Sequence, residues 1–95
     1  MTRIVVKKLI WDEYNIEHIK KHDIEAREAE EASKDIIVHK KGKRDRYLII
    51  GRCDARIITL ILRRVGLGIY YLVTARDAAK KERQKVYEKE KNQIS

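Results

Sequence analysis

The chain contains no proline and no phenylalanine, and only one cysteine, one tryptophan and four glycines in 95 residues. Each scarcity removes a class of protein. A lone cysteine, Cys53, closes no intrachain disulfide, so the natural compartment is a reducing cytoplasm. Without proline there is no Pro-rich linker, and neither repeats nor low-complexity tracts divide the chain. Residues 1–95 read as one small domain with a thin core. No apolar run reaches the ~18 residues needed to span a bilayer. The opening MTRIVVKKLIW lacks the long apolar core and small-residue cleavage site of a secretory signal. Gly66 and Gly68 belong to a short turn between strands rather than a strand-to-helix loop, so no phosphate cradle and no cofactor is expected. His18 and His22 are spaced i, i+4, as in a zinc helix, but HIKKH lacks the glutamate after the first histidine and the cysteine is remote. No metal is expected. Cys53 sits at an alternating strand position with no histidine nearby in sequence, and reads as core rather than nucleophile.

What the chain has in abundance is charge. Charged residues make up 40% of it and the net charge is +8. From Trp11 to Ser33 eight acids face three bases, whereas from His39 to Arg64 nine bases face two acids. A folded chain with this asymmetry presents one acidic and one basic face. The basic face attracts polyanions, nucleic acid first among them. The alternative is solvation, since heat-stable proteins carry many Lys and Glu for that purpose.

Periodicity gives the order β-α-α-β-β-β-β-α. Arg3–Trp11 is β-branched and apolar, a strand. Asp12 caps a short helix to His22 that buries Ile16, Ile19 and Ile24. Glu25–Lys34 places Ala26, Ala29 and Ala32 among acids, a second helix with a small-residue face. Asp35–Lys41, Arg46–Cys53, Arg56–Val65 and Ile69–Arg76 are strands joined by short turns, which force antiparallel pairing. Ile57–Leu62 is apolar on both faces and predicts a central strand. Asp77–Lys91 is the last helix, capped by Asp77, with Ala78, Ala79 and Val86 toward the sheet. The expected fold is α+β: a twisted antiparallel β-sheet with two short N-terminal helices and one C-terminal helix packed on it.

The arginines carry the functional signal. Arg46 and Arg52 are an even number of residues apart, so they share a strand face. Arg63 ends one strand and Arg76 another. Arg83 lies two helical turns beyond Arg76, with Glu82 and Tyr87 on the same helix, and Lys20 and His22 close the first helix. A small sheet can gather these ends into one cluster. Arg, Lys, Glu, His and Tyr together form the kit for RNA cleavage without a metal: a base for the 2′-OH, cations for the phosphorane, an acid for the leaving 5′ oxygen. Each arginine taken singly is better explained by a salt bridge or a plain phosphate contact than by catalysis.

Two segments, IWDEYNIEHIKKHDIEAREAEEA and IIGRCDAR…IYYLVTARDAAKKERQKVY, together resemble the BrnT family of toxins, in the RelE-like ribonuclease superfamily. Trp11-Asp12, Asn15 and Lys21-His22 match the opening motif, Gly51 a strand-ending glycine, Thr74-Ala75-Arg76 the S-A-R strand end, and Glu82, Arg83 and Tyr87 the final helix. The ordered set spans about nine-tenths of the chain. Asp23 replaces a glycine, Thr74 a serine, and Tyr71 an arginine of the family pattern. The resemblance implies a RelE-like fold and a metal-independent endoribonuclease that cleaves RNA and arrests translation. It also implies a cognate BrnA-like ribbon-helix-helix antitoxin, through which alone operator DNA is bound, and no membrane. Arg76 is the first choice for a phosphate-stabilising cation, with Arg83 and Arg52 next. Lys20, Lys21 and His22 are candidates for positioning or acid–base work. Glu82 acts as base or orients Arg83. Arg46, Arg52, Arg63, Lys21, Tyr71 and Tyr87 contact RNA, Tyr71 by stacking on a base and Tyr87 by packing or hydrogen bonding rather than by catalysis. The rival classes are a nucleic-acid-binding module without chemistry and a protein-interaction domain with an acidic partner.

Overall fold

The structure, a computed structural model, describes residues 4–94. Its elements are β1 (Lys8–Ile10), α1 (Glu13–Lys20), α2 (Ala26–Lys34), β2 (Ile36–Lys41), β3 (Arg46–Cys53), β4 (Arg56–Gly66), β5 (Ile69–Asp77) and α3 (Lys80–Ile94). The order is the one the periodicity predicts. Arg3, expected to open the first strand, lies outside the described residues, and the pairing of β1 begins only at Lys8.

The five strands form one sheet in the order β1-β5-β4-β3-β2. The expectation of a wholly antiparallel sheet needs one correction. β2 to β5 pair antiparallel, but β1 runs parallel to β5, with Leu9 opposite Tyr70. Short turns dictate antiparallel pairing only between consecutive strands; β1 is separated from β5 by most of the chain and is free to pair either way. β4 is central, as its two-sided apolar pattern requires.

Helices α1 and α2 cover one face. Ile19, Ile24, Ala29 and Ala32 pack there on Leu9, Ile49, Ile58, Leu60, Leu62 and Leu72. Helix α3 packs on the opposite face through Val86, and Ala78 just before it, against Ile50 and Ile57; Ala79, expected inward, is exposed.

Two residues of the opening motif explain how α1 is seated. Asp12 is the N-cap: its carboxylate accepts from the Asn15 backbone N–H at 2.8 Å, and the Asn15 side-chain oxygen accepts from the Asp12 N–H at 2.9 Å. The buried Asn15 amide then donates to the carbonyls of Ile10 and Leu72, tying β1, α1 and β5 together. Trp11 anchors through its indole N–H, which donates to Glu30 at 2.7 Å. Gly51 has an equally local reason. A Cβ built there would lie 2.0 Å from the Ala32 carbonyl oxygen, so only glycine lets the end of α2 rest on β3.

Candidate nucleic-acid interface

Helix α3 covers only one end of its face of the sheet. The rest displays alternate side chains of β3, β4 and β5. Arg46 pairs with Arg63, and Arg63 with Tyr71; Arg52 pairs with Ile57, and Arg76 with Thr59. Alternation puts all of these on the α3 face. Tyr71 and Arg76 are five residues apart and would point to opposite faces of a regular strand. A register shift between Ile61 and Leu62 leaves Val73 without a partner, and this bulge returns Arg76 to the face of Tyr71.

Arg76 is the best-defined member. It donates to both oxygens of Glu82, at 2.7 and 3.1 Å, and to the Asp77 carbonyl at 3.3 Å. Glu82 also accepts from the Thr59 hydroxyl at 3.1 Å and from the Ala79 backbone N–H at 2.7 Å. The Arg76 guanidinium chiefly, with the Ala79 N–H and the Thr59 hydroxyl, holds the Glu82 carboxyl below its ordinary range against the opposing effect of burial. The Arg76 side chain is still 40% exposed. The group is therefore a guanidinium fixed at the end of a rigid strand, open to solvent on one side. The expectation that Glu82 orients Arg83 is corrected: on a helix, adjacent residues point about 100° apart, and the Arg83 guanidinium instead donates to the Ala78 carbonyl at 2.6 Å. Thr59, a hydroxyl within the apolar run RIITLIL, is a member that sequence reasoning missed, and its buried polarity was the available signal.

The remaining arginines divide. Arg52 forms a two-bond pair with Glu90, its Nη2 donating to Glu90 Oε1 at 2.7 Å. Arg56 bridges Asp77 and Glu28, joining β4, β5 and α2. Asp77 is thereby occupied and does not cap α3, which starts at Lys80. Arg46 and Arg63 are exposed, and among the described residues neither has an ion pair to an acid. Arg63 lies over the Tyr71 ring at 5.4 Å, and the Tyr71 hydroxyl donates to Asp12 at 3.0 Å, so one ring face is covered by protein. Tyr87 is exposed on α3, one turn beyond Arg83.

Lys20, Lys21 and His22 end α1, on the other face. Lys20 pairs with Glu17 at 3.5 Å and the His22 ring meets His18 edge-on at 5.6 Å. Among the described residues, no hydrogen bond or ion pair joins them to Arg76, Glu82 or α3. The fold thus brings Arg46, Arg52, Arg63, Tyr71, Arg76 and Glu82 to one face, with Arg83 and Tyr87 on the helix beside it, and leaves the α1 trio elsewhere.

Glu31, Cys53 and Asp54 offer donor atoms within 4.8 Å of one another, a spacing a metal ion can use. The chemistry opposes it. The Cys53 thiol donates to Glu31 at 3.0 Å, and this bond, with burial, pushes its pKa up to about 11. The proton a metal would have to displace is strongly held.

No helix of the described residues is long and apolar enough to cross a membrane. No family model matches the sequence, and no curated protein matches it. Among solved structures, the crystal structure of the Brucella abortus ribonuclease toxin BrnT is similar, with a TM-score of 0.61 and 27% identity, covering 77% of this chain and 97% of the toxin chain. The resemblance first carried by Trp11-Asp12, Asn15 and Thr74-Ala75-Arg76 is thus matched at the level of structure over 77% of the chain, and the chain has a BrnT-like toxin fold.

Proposed function

We propose that this protein is the toxin of a type II toxin–antitoxin pair, a cytoplasmic endoribonuclease that cuts RNA without a metal and arrests translation, neutralised by a BrnA-like ribbon-helix-helix antitoxin that alone contacts operator DNA. The observation that carries the proposal is the Arg76 guanidinium, fixed by Glu82 on the open basic face of a fold similar to a ribonuclease toxin. RNA needs no external nucleophile: its 2′-oxygen attacks the adjacent phosphorus, the bond to the 5′ oxygen breaks, and a 2′,3′-cyclic phosphate remains. Charge builds on the phosphorane, and a preorganised guanidinium stabilises it. Arg76 takes that role. Arg46 and Arg63 hold the strand through its phosphates, with Arg52 and Arg83 flanking. Glu82 is anionic at neutral pH, but its oxygens already serve Arg76, Thr59 and Ala79, which makes it the residue that positions Arg76 rather than the base.

The test is cleavage of a labelled RNA in EDTA. Wild-type protein is expected to leave cyclic or 3′-phosphate ends, and Arg76→Ala to lower the rate by about 10²–10³. Lys20→Met and His22→Gln in the same assay decide whether the α1 trio takes part. A second reading, a nucleic-acid-binding module without chemistry, rests on Arg46 and Arg63, which are exposed and, among the described residues, have no ion pair, so they can hold phosphates with no reacting group beside them. Intact RNA bound with steep salt dependence would establish it.

A further inference from the structure

The helix-pair face has a gap. Residues 4–7 run across it and, together with the ends of the β2–β3 and β4–β5 hairpins, enclose an open groove of about 850 Å³. Tyr47 and Tyr70 lie in it, their rings edge to face at 5.6 Å. Its lips are aliphatic and exposed: Val5 is 57% and Leu67 78% accessible. Lys7, Lys41 and Arg64 also line it, no carboxylate does, and among the described residues none of the three has an ion pair. An apolar floor ringed by unpaired cations, on the face away from Arg76, is a surface without its complement.

We propose that this groove docks an acidic segment of a partner protein, with aliphatic side chains seated between Val5 and Leu67 and carboxylates on Lys7, Lys41 and Arg64. Charge complementarity selects the occupant's sign, and the shape of the floor selects protein over RNA. Tyr70 is buried and the two rings pack edge to face, so only the part-buried Tyr47 ring is open to a base, whereas the exposed aliphatic lips match leucine or isoleucine. The proposal goes beyond the ribonuclease function. It needs only a partner, and places that partner where it leaves the Arg76 face uncovered.

The experiment uses amide chemical shifts of the isotope-labelled full chain. Three probes are titrated: a 12-residue glutamate peptide carrying two leucines four residues apart, a 12-residue polyglutamate, and a uridine dodecamer. The leucine peptide is expected to shift Val5, Leu67 and Tyr70 and to bind at least about tenfold more tightly than polyglutamate, since each buried leucine contributes roughly 1.5–3 kcal/mol. Lys7→Glu with Arg64→Glu is expected to weaken it about tenfold or more while leaving RNA cleavage unchanged. Leu67→Asp, in an exposed turn, repeats the test without touching a cation. Shifts of the groove by RNA and not by the peptide, peptide shifts on Arg46 and Arg63, or no response to the peptide at all would each overturn the proposal. Because RNA cleavage is read separately, loss of the docking site and loss of the ribonuclease function are distinguishable.

Discussion

Replacing Glu82 by glutamine isolates the contact that fixes Arg76. Glutamine keeps the volume, and its carbonyl oxygen can still accept from Thr59 and from the Ala79 N–H, but its NH2 turns a donor toward a guanidinium donor. One of the two Arg76 bonds is lost and the other loses its charge. A hydrogen bond to a charged group contributes roughly 1.5–3 kcal/mol. The Arg76 side chain is 40% exposed, so water recovers part of this, and the net loss is about 1 kcal/mol. Removing an anion from the first turn of α3 adds roughly 0.5 kcal/mol. The expected destabilisation of about 1.5 kcal/mol corresponds to a fall in Tm of roughly 6–12 °C for a domain of this size. The pH dependence gives the sharper check. Folding lowers the Glu82 pKa from its ordinary value near 4.5, chiefly through Arg76. Its contribution is therefore complete above about pH 4.5 and is lost as pH falls through the native value. Urea unfolding followed by Trp11 fluorescence should show a wild-type advantage over Glu82→Gln at pH 7 that narrows as pH falls below about 4.5. Other lowered carboxylates, such as Glu28 and Asp77, are common to both proteins and cancel. A gap that stays constant across that range, or no gap at pH 7, would refute the reasoning.

Three further outcomes are expected. Gly51→Ala should destabilise the protein by about 3 kcal/mol or more, measured by urea unfolding, because the new Cβ meets the rigid Ala32 backbone rather than a movable side chain; a change below 1 kcal/mol would mean that α2 shifts freely. The Cys53 thiol, with its pKa raised to about 11, should resist iodoacetamide at pH 8 in the native protein and react promptly in urea; equal rates would contradict the Glu31 bond. Arg46→Ala with Arg63→Ala should flatten the salt dependence of RNA binding by about two in log–log slope, measured by fluorescence anisotropy, whereas Lys20→Ala with Lys21→Ala should leave it unchanged if RNA follows the α3 face.

Much of the fold was legible because its signals are short-range. Asp12 and Asn15 form their cap within four residues, the alternation of Arg46–Cys53 gives that strand its bounds, and the two-sided apolar run Ile57–Leu62 marks the central strand. Even spacing also placed Arg46 and Arg52 on one face. Which cations stay free was not legible. Glu90 takes Arg52 from 38 residues away, and Glu28 and Asp77 take Arg56 from 28 and 21, partners chosen by how helices dock on the sheet.

The sequence by itself determined the element order, the central strand and the charge asymmetry, since each depends on neighbours within a turn or a strand. Only the tertiary structure decided that β1 lies parallel to β5, that a bulge at Val73 turns Arg76 to the face of Arg63, and that the trio ending α1 sits across the sheet from both. Periodicity fixes which way a side chain leaves its own backbone. Where two distant backbones meet is set by packing, and one unpaired residue in a strand is enough to reverse every face beyond it.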